Sequence, residues 1–523
     1  MALIPLLQSF TWQESHGVGV LCLMLLLFFL IILLPFSLLF RKRTGDGNLN
    51  FPPSPPKLPL IGNLHQVGTL PHRSFQALTN RYGPILLLNL GSAPALVVSS
   101  PELVKEMCKK QDIVFSNRFR ATNIDLALNG CPDLAFSPYG AYWREIRKMC
   151  VQELLSQQKV ELFQFHRDEE IDILIKDIRR SSLKGEVVNV SDLLVNVTTT
   201  IVCRSILGQR CVGEDGKSQW GEFSKKILLE VQGFTFRDFF PSLGWLDNLT
   251  GLIRRLKKVT REVDLFFERV IEERKKLKTD GNLSATGRNF IDILLQLKED
   301  GLYKLDLNQE TIKAILMDMF IGATDTTMST LEWAMTELMR QPNIMRKAQQ
   351  EVQEVVGKKS KIDAVDVNNM SYLKCVVKET LRLHAPVPLL LPRETAATAR
   401  LGGYDIPCKA RVYVNAWAIQ RDPNVWDSAE EFIPERFENK NSTDIALDPD
   451  FKFVVFGGGR RACAGMSYGL TTIEYVLANL LYWFDWKLPA GVTAKDLDTS
   501  EIFALTIMKK VPLHLLPISR HDH

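Results

Sequence analysis

The first apolar stretch of the chain extends over residues 18–40 and contains no charged residue. Most of its 23 positions are Leu, Ile, Phe or Val, and as a helix it would be about 35 Å long, enough to cross a bilayer core. A cleaved signal peptide needs a shorter apolar stretch of about 7–15 residues and a small-residue cleavage site, and neither is found here. The pattern therefore predicts a transmembrane anchor, with a buried core helix as the bland alternative.

Beyond residue 62 the spacing of apolar positions is mostly helical. One long helix is predicted from Asn308, its N-cap, to Arg340, and a second follows Gly465. Ser137 and Pro138 have the pattern of another helix start. Apolar runs in residues 84–99 predict a β-hairpin, residues 411–415 and 502–515 are candidate strands, and residues 281–287 and 438–450 are polar loops. The fold class is mostly α with a small β-sheet region.

The segments around the anchor define the domain order. Arg41, Lys42 and Arg43 follow the apolar stretch, so its N-terminal side is predicted to be lumenal and the rest cytosolic. Five prolines in residues 51–59 favour a stiff spacer over a ligand for a proline-binding module. We therefore predict a lumenal tail (1–17), an anchor (18–40), a basic and proline-rich linker (41–62) and one domain (63–523).

Composition limits the classes of partner. The chain has 64 basic and 60 acidic residues, a net charge of +4, which gives no electrostatic basis for binding nucleic acid. No Gly-x-Gly-x-x-Gly follows a strand and no Walker-type Gly-x-x-x-x-Gly-Lys-Ser/Thr occurs, so the chain carries no predicted NADPH or nucleotide site. Electrons for any redox chemistry must then come from another protein.

The most informative motif is FVVFGGGRRACAG, residues 453–465. Its three glycines permit tight turns and a close approach to a ligand. Cys463 is predicted at a helix N-terminus beside Arg460 and Arg461, and both features favour a thiolate. Such a thiolate suits a metal ligand or a nucleophile, and the absence of a nearby His cluster or second Cys argues against zinc. The alternative is a small apolar cysteine that packs a helix start.

The spacing Phe456-x-x-Gly459-x-Arg461-x-Cys463-x-Gly465 resembles the haem-binding loop of the cytochrome P-450 superfamily. The resemblance covers roughly residues 50–518 and implies haem b with Cys463 as its axial thiolate and metal ligand. Two positions of the loop, Val455 and Ala464, differ from the commonest plant versions, which carry proline there. The proline hinge and the motif FIGATDTT resemble the plant A-type microsomal clan.

Other motifs follow in the order that the family shows. Glu379-x-x-Arg382 places two side chains on one helix face, which by itself is usually a solvated ion pair. With Arg436 in FIPERF it resembles the family's structural triad. Trp143 and Arg147, four apart on one face, resemble the family's haem-propionate pair, although alone they indicate only an amphipathic helix. The resemblance adds the two arginines Arg393 and Arg461 to the propionate ligands, since guanidinium binds carboxylates bidentately.

The middle of the long helix carries IGATDTT at residues 321–327. Gly and short polar residues destabilise a helix, so such a local violation often marks function. Gly322 lies one turn before Thr326 and opens a notch beside its hydroxyl; the alternative is a helix bent by hydroxyls that bond back to carbonyls. By the resemblance, Asp325 and Thr326 are catalytic and supply protons for dioxygen activation, while Ala323 replaces a family glycine.

The substrate is predicted only as a lipophilic small molecule, bound by variable segments. The predicted lining residues are apolar, namely Phe320, Ala323, Val387, Leu389, Leu390, Leu391, Phe503 and Leu505. The resemblance implies a monooxygenase of plant specialised metabolism that hydroxylates or epoxidises a terpenoid, alkaloid or phenolic. Alternatives are a haem-thiolate isomerase or dehydratase that uses neither dioxygen nor reductase, and a non-catalytic haem-binding membrane protein.

The resemblance also implies partners and a location. Electrons are expected from NADPH through NADPH–cytochrome P-450 reductase, and cytochrome b5 is a candidate second donor. The expected location is the endoplasmic reticulum membrane, with a single pass and a cytosolic catalytic domain.

Overall fold

A computed structural model describes residues 49–213, 219–231, 233–279, 289–438 and 448–520. The predicted lumenal tail, the anchor and the basic part of the linker lie outside the described residues, as do the predicted loop 281–287 and most of the loop 438–450. In the described part of the linker, residues 49–57 form neither helix nor strand, as their prolines require.

The described ranges contain eighteen α-helices. In chain order they are α1 (Pro71–Tyr82), α2 (Pro101–Lys110), α3 (Asp112–Phe115), α4 (Thr122–Ala127), α5 (Ala141–Met149), α6 (Gln157–Leu162), α7 (Gln164–Lys184), α8 (Val190–Leu207), α9 (Gln219–Val231), α10 (Phe236–Phe239), α11 (Leu252–Thr279), α12 (Phe290–Asp300), α13 (Gln309–Arg340), α14 (Pro342–Val356), α15 (Ala364–Asn368), α16 (Ser371–Leu383), α17 (Ala416–Ile419) and α18 (Met466–Trp483).

The strands form small sheets at the margins of this helical body. They are β1 (Ile85–Leu90), β2 (Ala93–Val98), β3 (Asn117–Arg118), β4 (Val188–Asn189), β5 (Arg393–Glu394), β6 (Ala399–Leu401), β7 (Tyr404–Ile406), β8 (Arg411–Val414), β9 (Phe484–Lys487), β10 (Glu501–Phe503), β11 (Ile507–Lys509) and β12 (His514–Ser519). The largest sheet has the order β1-β2-β8-β5-β3, with only the β2–β8 pair parallel. A second sheet has the order β4-β12-β9, and β6–β7 and β10–β11 are hairpins. The predicted fold class, mostly α with a small β-sheet region, is confirmed.

The predicted hairpin and the two long helices are also confirmed. Leu90 pairs with Ala93 across the β1–β2 turn, where Gly91 has a φ of +62°. A Cβ at Gly91 would lie 2.4 Å from the Phe239 carbonyl oxygen, so this turn requires glycine. The Asn308 side chain accepts a hydrogen bond from the backbone N–H of Thr311 and caps α13 as predicted.

Two predicted elements differ from the structure. The helix predicted to start at Pro138 begins at Ala141 instead, after an extended Gly140. Ser137 does not cap it, because it lies before the Gly140 N-cap and its hydroxyl oxygen accepts the backbone N–H of Asp133 at 2.7 Å instead. The single strand predicted over residues 502–515 is divided among β10, β11 and the start of β12, because the chain reverses direction between β10 and β11.

The core is built around α13, against which α8, α16 and α18 pack. Among the described residues one helix, α8, is long and apolar enough to cross a membrane, and 67% of that stretch is buried inside the domain. Three buried threonines of α8 donate hydrogen bonds from their hydroxyl groups to carbonyls one turn earlier in the helix, namely Thr198, Thr199 and Thr200. These hydroxyl groups therefore need no water as a partner. α8 therefore serves as the inner neighbour of α13.

Candidate functional site

A cavity of about 330 Å³ lies against the middle of α13. Its wall combines α13, α4, α9, residues 386–391, the 505–506 turn and the loop that precedes α18. Most of the lining is apolar, while a group of arginines and one cysteine share one region of it. Pockets of this size and character bind small lipophilic molecules.

The loop before α18 presents Cys463 to this cavity. Gly457 and Gly459 have φ values of +71° and +64°, and a Cβ at Gly459 would lie 2.4 Å from Oδ1 of Asp112. The backbone N–H of Cys463 donates to the Phe456 carbonyl at 2.8 Å, which closes the loop on itself. The exposed surface of Cys463 faces the cavity, so its thiol is available to a group bound there.

The predicted electrostatic reason for a thiolate is wrong in one part. Arg460 donates to Asp112 and Tyr139, and Arg461 donates to the carbonyl of Ser116, so neither guanidinium is engaged with the thiol. Although Cys463 is open to the cavity, the cavity itself lies inside the domain, and this enclosure raises the pKa of the thiol against smaller opposing effects of the Gly465 backbone N–H and of Arg147. A bound metal cation, rather than the adjacent arginines, is therefore what would hold the thiolate form.

Four arginines border the cavity near Cys463, namely Arg118, Arg147, Arg393 and Arg461. Arg147 donates to the Ala462 carbonyl at 2.8 Å and Arg393 to the Gly458 carbonyl at 2.7 Å, so both are tied to the cysteine loop. Nη1 of Arg393 and Nη1 of Arg461 are buried without a hydrogen-bond partner. Burial and the neighbouring Arg393 lower the pKa of Arg461 to about 9.

This arginine group fits a haem. Buried guanidinium atoms without partners are costly, and carboxylates that enter the cavity would satisfy them. Haem brings two propionate carboxylates, and the arginines, Cys463 and the open space over Gly322, where an added Cβ meets no atom within 4 Å, lie around one cavity. The residues present therefore match the donor set that a thiolate-ligated haem requires.

One predicted propionate ligand is placed differently, and one arginine was missed. The Trp143 indole N–H donates to the Leu134 carbonyl at 2.9 Å, so its ring rather than its N–H borders the cavity, with Arg461 3.9 Å above it. Arg118 was not predicted; it is paired with Arg393 in the register of β3 and β5. No local signal marks Arg118, because a two-residue strand has no periodicity and its partner is distant in sequence.

The structure brings the three predicted triad residues together. Arg382 makes two hydrogen bonds of 2.8 Å to the Glu379 carboxylate, and both residues are fully buried. Nε of Arg436 donates to the same carboxylate at 3.0 Å. Arg382 also donates to the carbonyls of Gln420, Ala429 and Glu431, so the triad fastens the segment after α17 onto α16. Such fully satisfied buried charges specify one arrangement of the core.

On α13, Thr326 borders the cavity and Asp325 does not. The Thr326 hydroxyl donates to the Gly322 carbonyl at 2.7 Å, which leaves its oxygen lone pairs able to accept from the cavity side. Asp325 is buried and accepts from the Ser224 hydroxyl of α9 at 2.9 Å. Of the two residues predicted to be catalytic, the structure therefore brings only Thr326 to the cavity wall, and the catalytic role of both stays a prediction.

The predicted lining residues divide in the same way. Ala323, Val387, Leu390, Leu391 and Leu505 border the cavity.

The other three predicted lining residues face away from it. Phe320 packs on Trp220 with ring centroids 4.2 Å apart, because a residue two positions before Gly322 falls about 200° around the helix. Leu389 packs against β1 and β2, and Phe503 stacks on His72.

The unpredicted polar residues of the lining include Asp318 and Thr506. The Asp318 carboxylate, on α13, borders the cavity and accepts backbone N–H groups of residues 134 and 135. The Thr506 hydroxyl, at the β10–β11 turn, is buried without a partner. A buried carboxyl in an otherwise apolar helix face was a usable signal for Asp318, whereas nothing in the sequence distinguishes Thr506 from a surface threonine.

Comparison with known proteins places the chain among related enzymes. A family model described as Cytochrome P450 matches residues 52–515. Phenylacetaldehyde oxime monooxygenase of Prunus mume is 44% identical and the match covers 99% of each chain. Desmethylyatein synthase of Sinopodophyllum hexandrum is 45% identical over 95% of this chain and 98% of its own. 5-Epiaristolochene 1,3-dihydroxylase of Nicotiana tabacum is 42% identical, and the match covers 93% of this chain and 96% of that protein.

Solved structures agree with the fold. A zebra fish cytochrome P450 with progesterone has a TM-score of 0.74 and 25% identity, and the match covers 86% of this chain and 99% of that one. A zebra fish cytochrome P450 with abiraterone has a TM-score of 0.71 and 24% identity, and the match covers 86% of this chain and 100% of that one.

Proposed function

This chain belongs to the cytochrome P450 family and is a haem-thiolate monooxygenase, and on that premise we propose that it oxidises a lipophilic small molecule of plant specialised metabolism. The resemblance inferred from the cysteine loop is thereby confirmed. The observation that carries the proposal is the single cavity that joins Cys463, the arginines and Thr326 to an apolar wall.

Three kinds of contact are proposed to hold the haem. Cys463 ligates its iron, and Arg118, Arg393 and Arg461 bind its carboxylates through the guanidinium atoms that face the cavity. Arg147, tied to the Ala462 carbonyl, keeps the cysteine loop in place and contributes positive charge beside the thiolate. When bound, the haem supplies activation of dioxygen with electrons that reach it through a redox partner.

Proton supply is proposed to fall to α13. The Thr326 hydroxyl is held one turn from Gly322, where an added side chain would have room, so a small molecule can sit beside it. Thr326 then accepts a proton from the cavity side and donates one in turn, as a hydroxyl can. Asp325 is held by Ser224, so we propose that it acts only after its side chain turns towards the cavity.

The substrate class follows from the wall of the cavity. Apolar side chains dominate it, and two buried hydroxyl groups of its lining residues lack a hydrogen-bond partner, that of Thr506 and that of Thr327 on α13. Ile507, the neighbour of Thr506, is fixed on both sides, since its N–H donates to Pro386 and its carbonyl accepts from Ser329 at 2.5 Å. We therefore infer a mainly apolar substrate with a polar function that meets Thr506. The name of the Prunus relative refers to phenylacetaldehyde oxime, which has this character.

Thr506→Val removes the hydroxyl while the shape is kept. We expect binding of 2-phenylethanol to the haem-loaded protein to weaken about fivefold, since a hydrogen bond contributes about 1 kcal/mol, whereas binding of ethylbenzene stays within about twofold. Equilibrium dialysis measures both dissociation constants, and Thr506→Ser is the matched control that retains the hydroxyl. Equal weakening of both ligands would show that Thr506 only shapes the wall.

A membrane location is proposed from two features of the chain. Residues 18–40 are long and apolar enough for a membrane anchor, and the basic residues after them favour a cytosolic domain. In the described part, large apolar side chains near the end of the linker and after α10 are exposed, with Leu60 55%, Trp245 60% and Leu249 74% accessible. The β1–β2 turn joins these two segments, because Gly91 bonds to Ile61 and Ser92 to Phe239. We propose that this surface rests on the endoplasmic reticulum membrane.

Reconstitution tests the function directly. We expect membranes that carry the full chain and NADPH–cytochrome P-450 reductase, with or without cytochrome b5, to oxidise members of a terpenoid, alkaloid and phenolic panel only when NADPH and dioxygen are present. Turnover without both would favour the isomerase or dehydratase alternative. A haem-loaded protein that neither binds nor converts any compound of the panel would favour the non-catalytic alternative.

Cys463→Ser tests the proposed ligand. We expect this variant to remain membrane-bound but to lose the thiolate-type spectrum of the reduced, carbon-monoxide-bound protein, because a serine hydroxyl is a much harder ligand than a thiolate. Cys150→Ser, at a buried thiol outside the cavity, is the control that keeps the spectrum. A wild-type band in Cys463→Ser would contradict the assignment.

A further inference from the structure

Residues 133–137 form a short loop between α4 and α5, and most of its backbone N–H groups donate hydrogen bonds to side chains. The N–H groups of Leu134 and Ala135 donate to one carboxylate oxygen of Asp318, at 2.7 and 3.1 Å. The N–H of Phe136 donates to Asp133 at 3.0 Å, and the N–H of Asp133 donates to the Ser137 hydroxyl at 2.7 Å. Four consecutive N–H groups therefore depend on two carboxyl groups and one hydroxyl.

The carbonyl groups of the same loop receive the groups that border the cavity near Cys463. The Leu134 carbonyl accepts from the Trp143 indole and the Ala135 carbonyl accepts from Nε of Arg118, both at 2.9 Å. The Ser137 carbonyl accepts from Nη2 of Arg461 at 2.5 Å. A shift of this loop would therefore remove one hydrogen bond from each of two arginines assigned to the haem carboxylates. Their other bonds go to the carbonyls of Leu391 and Pro392 for Arg118 and of Ser116 for Arg461.

Asp318 and Asp133 contact each other, although they come from α13 and from the loop. Their carboxyl groups interact with one another, and Asp133 is fully buried. Burial and the neighbouring carboxylate raise the pKa of Asp318 well above its usual range, and burial raises the pKa of Asp133. Two interacting buried carboxyl groups of this kind would hold one proton between them.

We propose that Asp318 is a positioning residue whose carboxyl group fastens the 133–137 loop to α13 by accepting the N–H groups of Leu134 and Ala135, and so aims Arg118 and Arg461 at the haem carboxylates. The proposal rests on the proposed haem contacts of these arginines. It assigns to α13 a second task, about two turns before Thr326: the helix that borders the reaction space also sets the group that holds the cofactor.

A proton held between Asp318 and Asp133 predicts a difference between two substitutions that a general packing role does not predict. If Asp318 acts as a neutral acid, Asp318→Asn keeps every bond, because its amide oxygen accepts from the two N–H groups and its NH2 donates to Asp133. Asp318→Val has a similar size but leaves two N–H groups and one carboxyl group without partners. Packing alone would not distinguish amide from isopropyl in this way.

The test uses the full-length haem-loaded protein and measures the rate of haem transfer to excess apomyoglobin, with no turnover involved. We expect Asp318→Val to lose haem at least tenfold faster than wild type and Asp318→Asn to stay within about threefold. Thr336→Val, which removes a buried hydroxyl bonded within α13 to Glu332, is the control for loosening of the helix and should match wild type. Arg461→Leu tests the arginine contact itself and should also lose haem faster.

Each outcome bears on the proposal. If Asp318→Val loses haem at the wild-type rate while Arg461→Leu loses it faster, the positioning role of Asp318 is wrong and the proposed haem contacts remain. Accelerated loss in Asp318→Val beside unchanged loss in Arg461→Leu overturns the route through the arginines. If Asp318→Asn loses haem as fast as Asp318→Val, the shared proton is wrong. If Asp318→Val cannot be obtained folded with haem, the ratio of Asp318→Asn to wild type decides alone, and more than tenfold faster loss overturns the proposal.

Discussion

Two arginine nitrogen atoms beside Cys463 indicate what kind of ligand the cavity binds. Nη1 of Arg393 and Nη1 of Arg461 are buried without a hydrogen-bond partner, although Nη1 of Arg393 lies 3.9 Å from the Asp112 carboxylate. Nη2 of Arg393 donates to the Gly458 carbonyl, and Nε and Nη2 of Arg461 donate to those of Ser116 and Ser137. Other buried polar atoms also lack a partner, but these two belong to positively charged side chains that border the cavity beside Cys463. That position favours an anionic ligand there.

Thr326 is the residue whose proposed catalytic role is easiest to separate from a structural one. Thr326→Ala removes the hydroxyl that bonds to Gly322, and we expect product formation to fall about a hundredfold while NADPH consumption continues and peroxide rises. The measurement is product formed per NADPH consumed, in the reconstituted system. Thr326→Ser retains the hydroxyl and should keep the ratio.

The alternative for Thr326 is a hydroxyl that only bends α13. Stability would then change by about 1 kcal/mol and the ratio of product to NADPH would stay at the wild-type value. An unchanged ratio in folded, haem-loaded Thr326→Ala would remove the proton-supply role and return attention to chemistry that does not use dioxygen.

The β10–β11 hairpin places Leu505 and Thr506 at the cavity. Contacts with α1 hold its other end. Glu501, at the start of β10, accepts from Nη2 of Arg73 at 2.9 Å and lies 3.4 Å from Nε2 of His72, both on α1. Although burial opposes it, the hydrogen bonds and charges of these partners hold the pKa of Glu501 below its usual range. The hairpin tip is therefore positioned by an ion pair at its other end.

Glu501→Gln should loosen this hairpin. We expect backbone amides of β10 and β11 to exchange with solvent about tenfold faster, since loss of a charge-assisted hydrogen bond costs about 1.5 kcal/mol or more. Hydrogen exchange followed by mass spectrometry of peptides from residues 497–511 measures this. Asp498→Asn alters an exposed carboxylate that bonds to Ser500 on the same segment, and it should leave the exchange unchanged. No difference between the two variants would place the anchor elsewhere, for example at Ile507.

At the scale of the whole molecule, the membrane segment and the catalytic domain are expected to be separable. The described domain closes its own core around α13, and the linker contacts it through Asn63, which bonds to the carbonyls of Pro55 and Pro56 and to the N–H of Asn89. Nothing in these contacts requires residues before 49.

Deletion of residues 1–43 should therefore release much of the protein from membranes without loss of haem. The reduced, carbon-monoxide-bound spectrum should match that of the full chain, and the membrane-bound fraction after high-speed centrifugation should fall. Residual attachment is expected from the exposed Trp245 and Leu249, and Trp245→Ser in the truncated protein should reduce it further. A truncated protein that expresses well but never takes up haem would show that the two parts are not independent.

Local patterns were sufficient to predict several features of this molecule. The cysteine loop, the capped α13 with its Gly322 notch and the β1–β2 hairpin each depend on residues close together in the chain, so their spacing alone indicates them. The same holds for the predicted anchor, which depends only on length and apolar composition, and which stays a prediction because it lies outside the described residues.

Features that join distant segments required the tertiary structure. The pairing of Arg118 with Arg393, the contact of Asp133 with Asp318 and the outward direction of Phe320 each depend on which element lies opposite, and no local spacing encodes that. The thiol of Cys463 shows the physical reason: its sequence neighbours suggested nearby positive charge, but the fold directs those arginines to other partners and leaves burial to dominate its pKa. Electrostatic and packing effects depend on distance in space, whereas the sequence orders residues only along the chain.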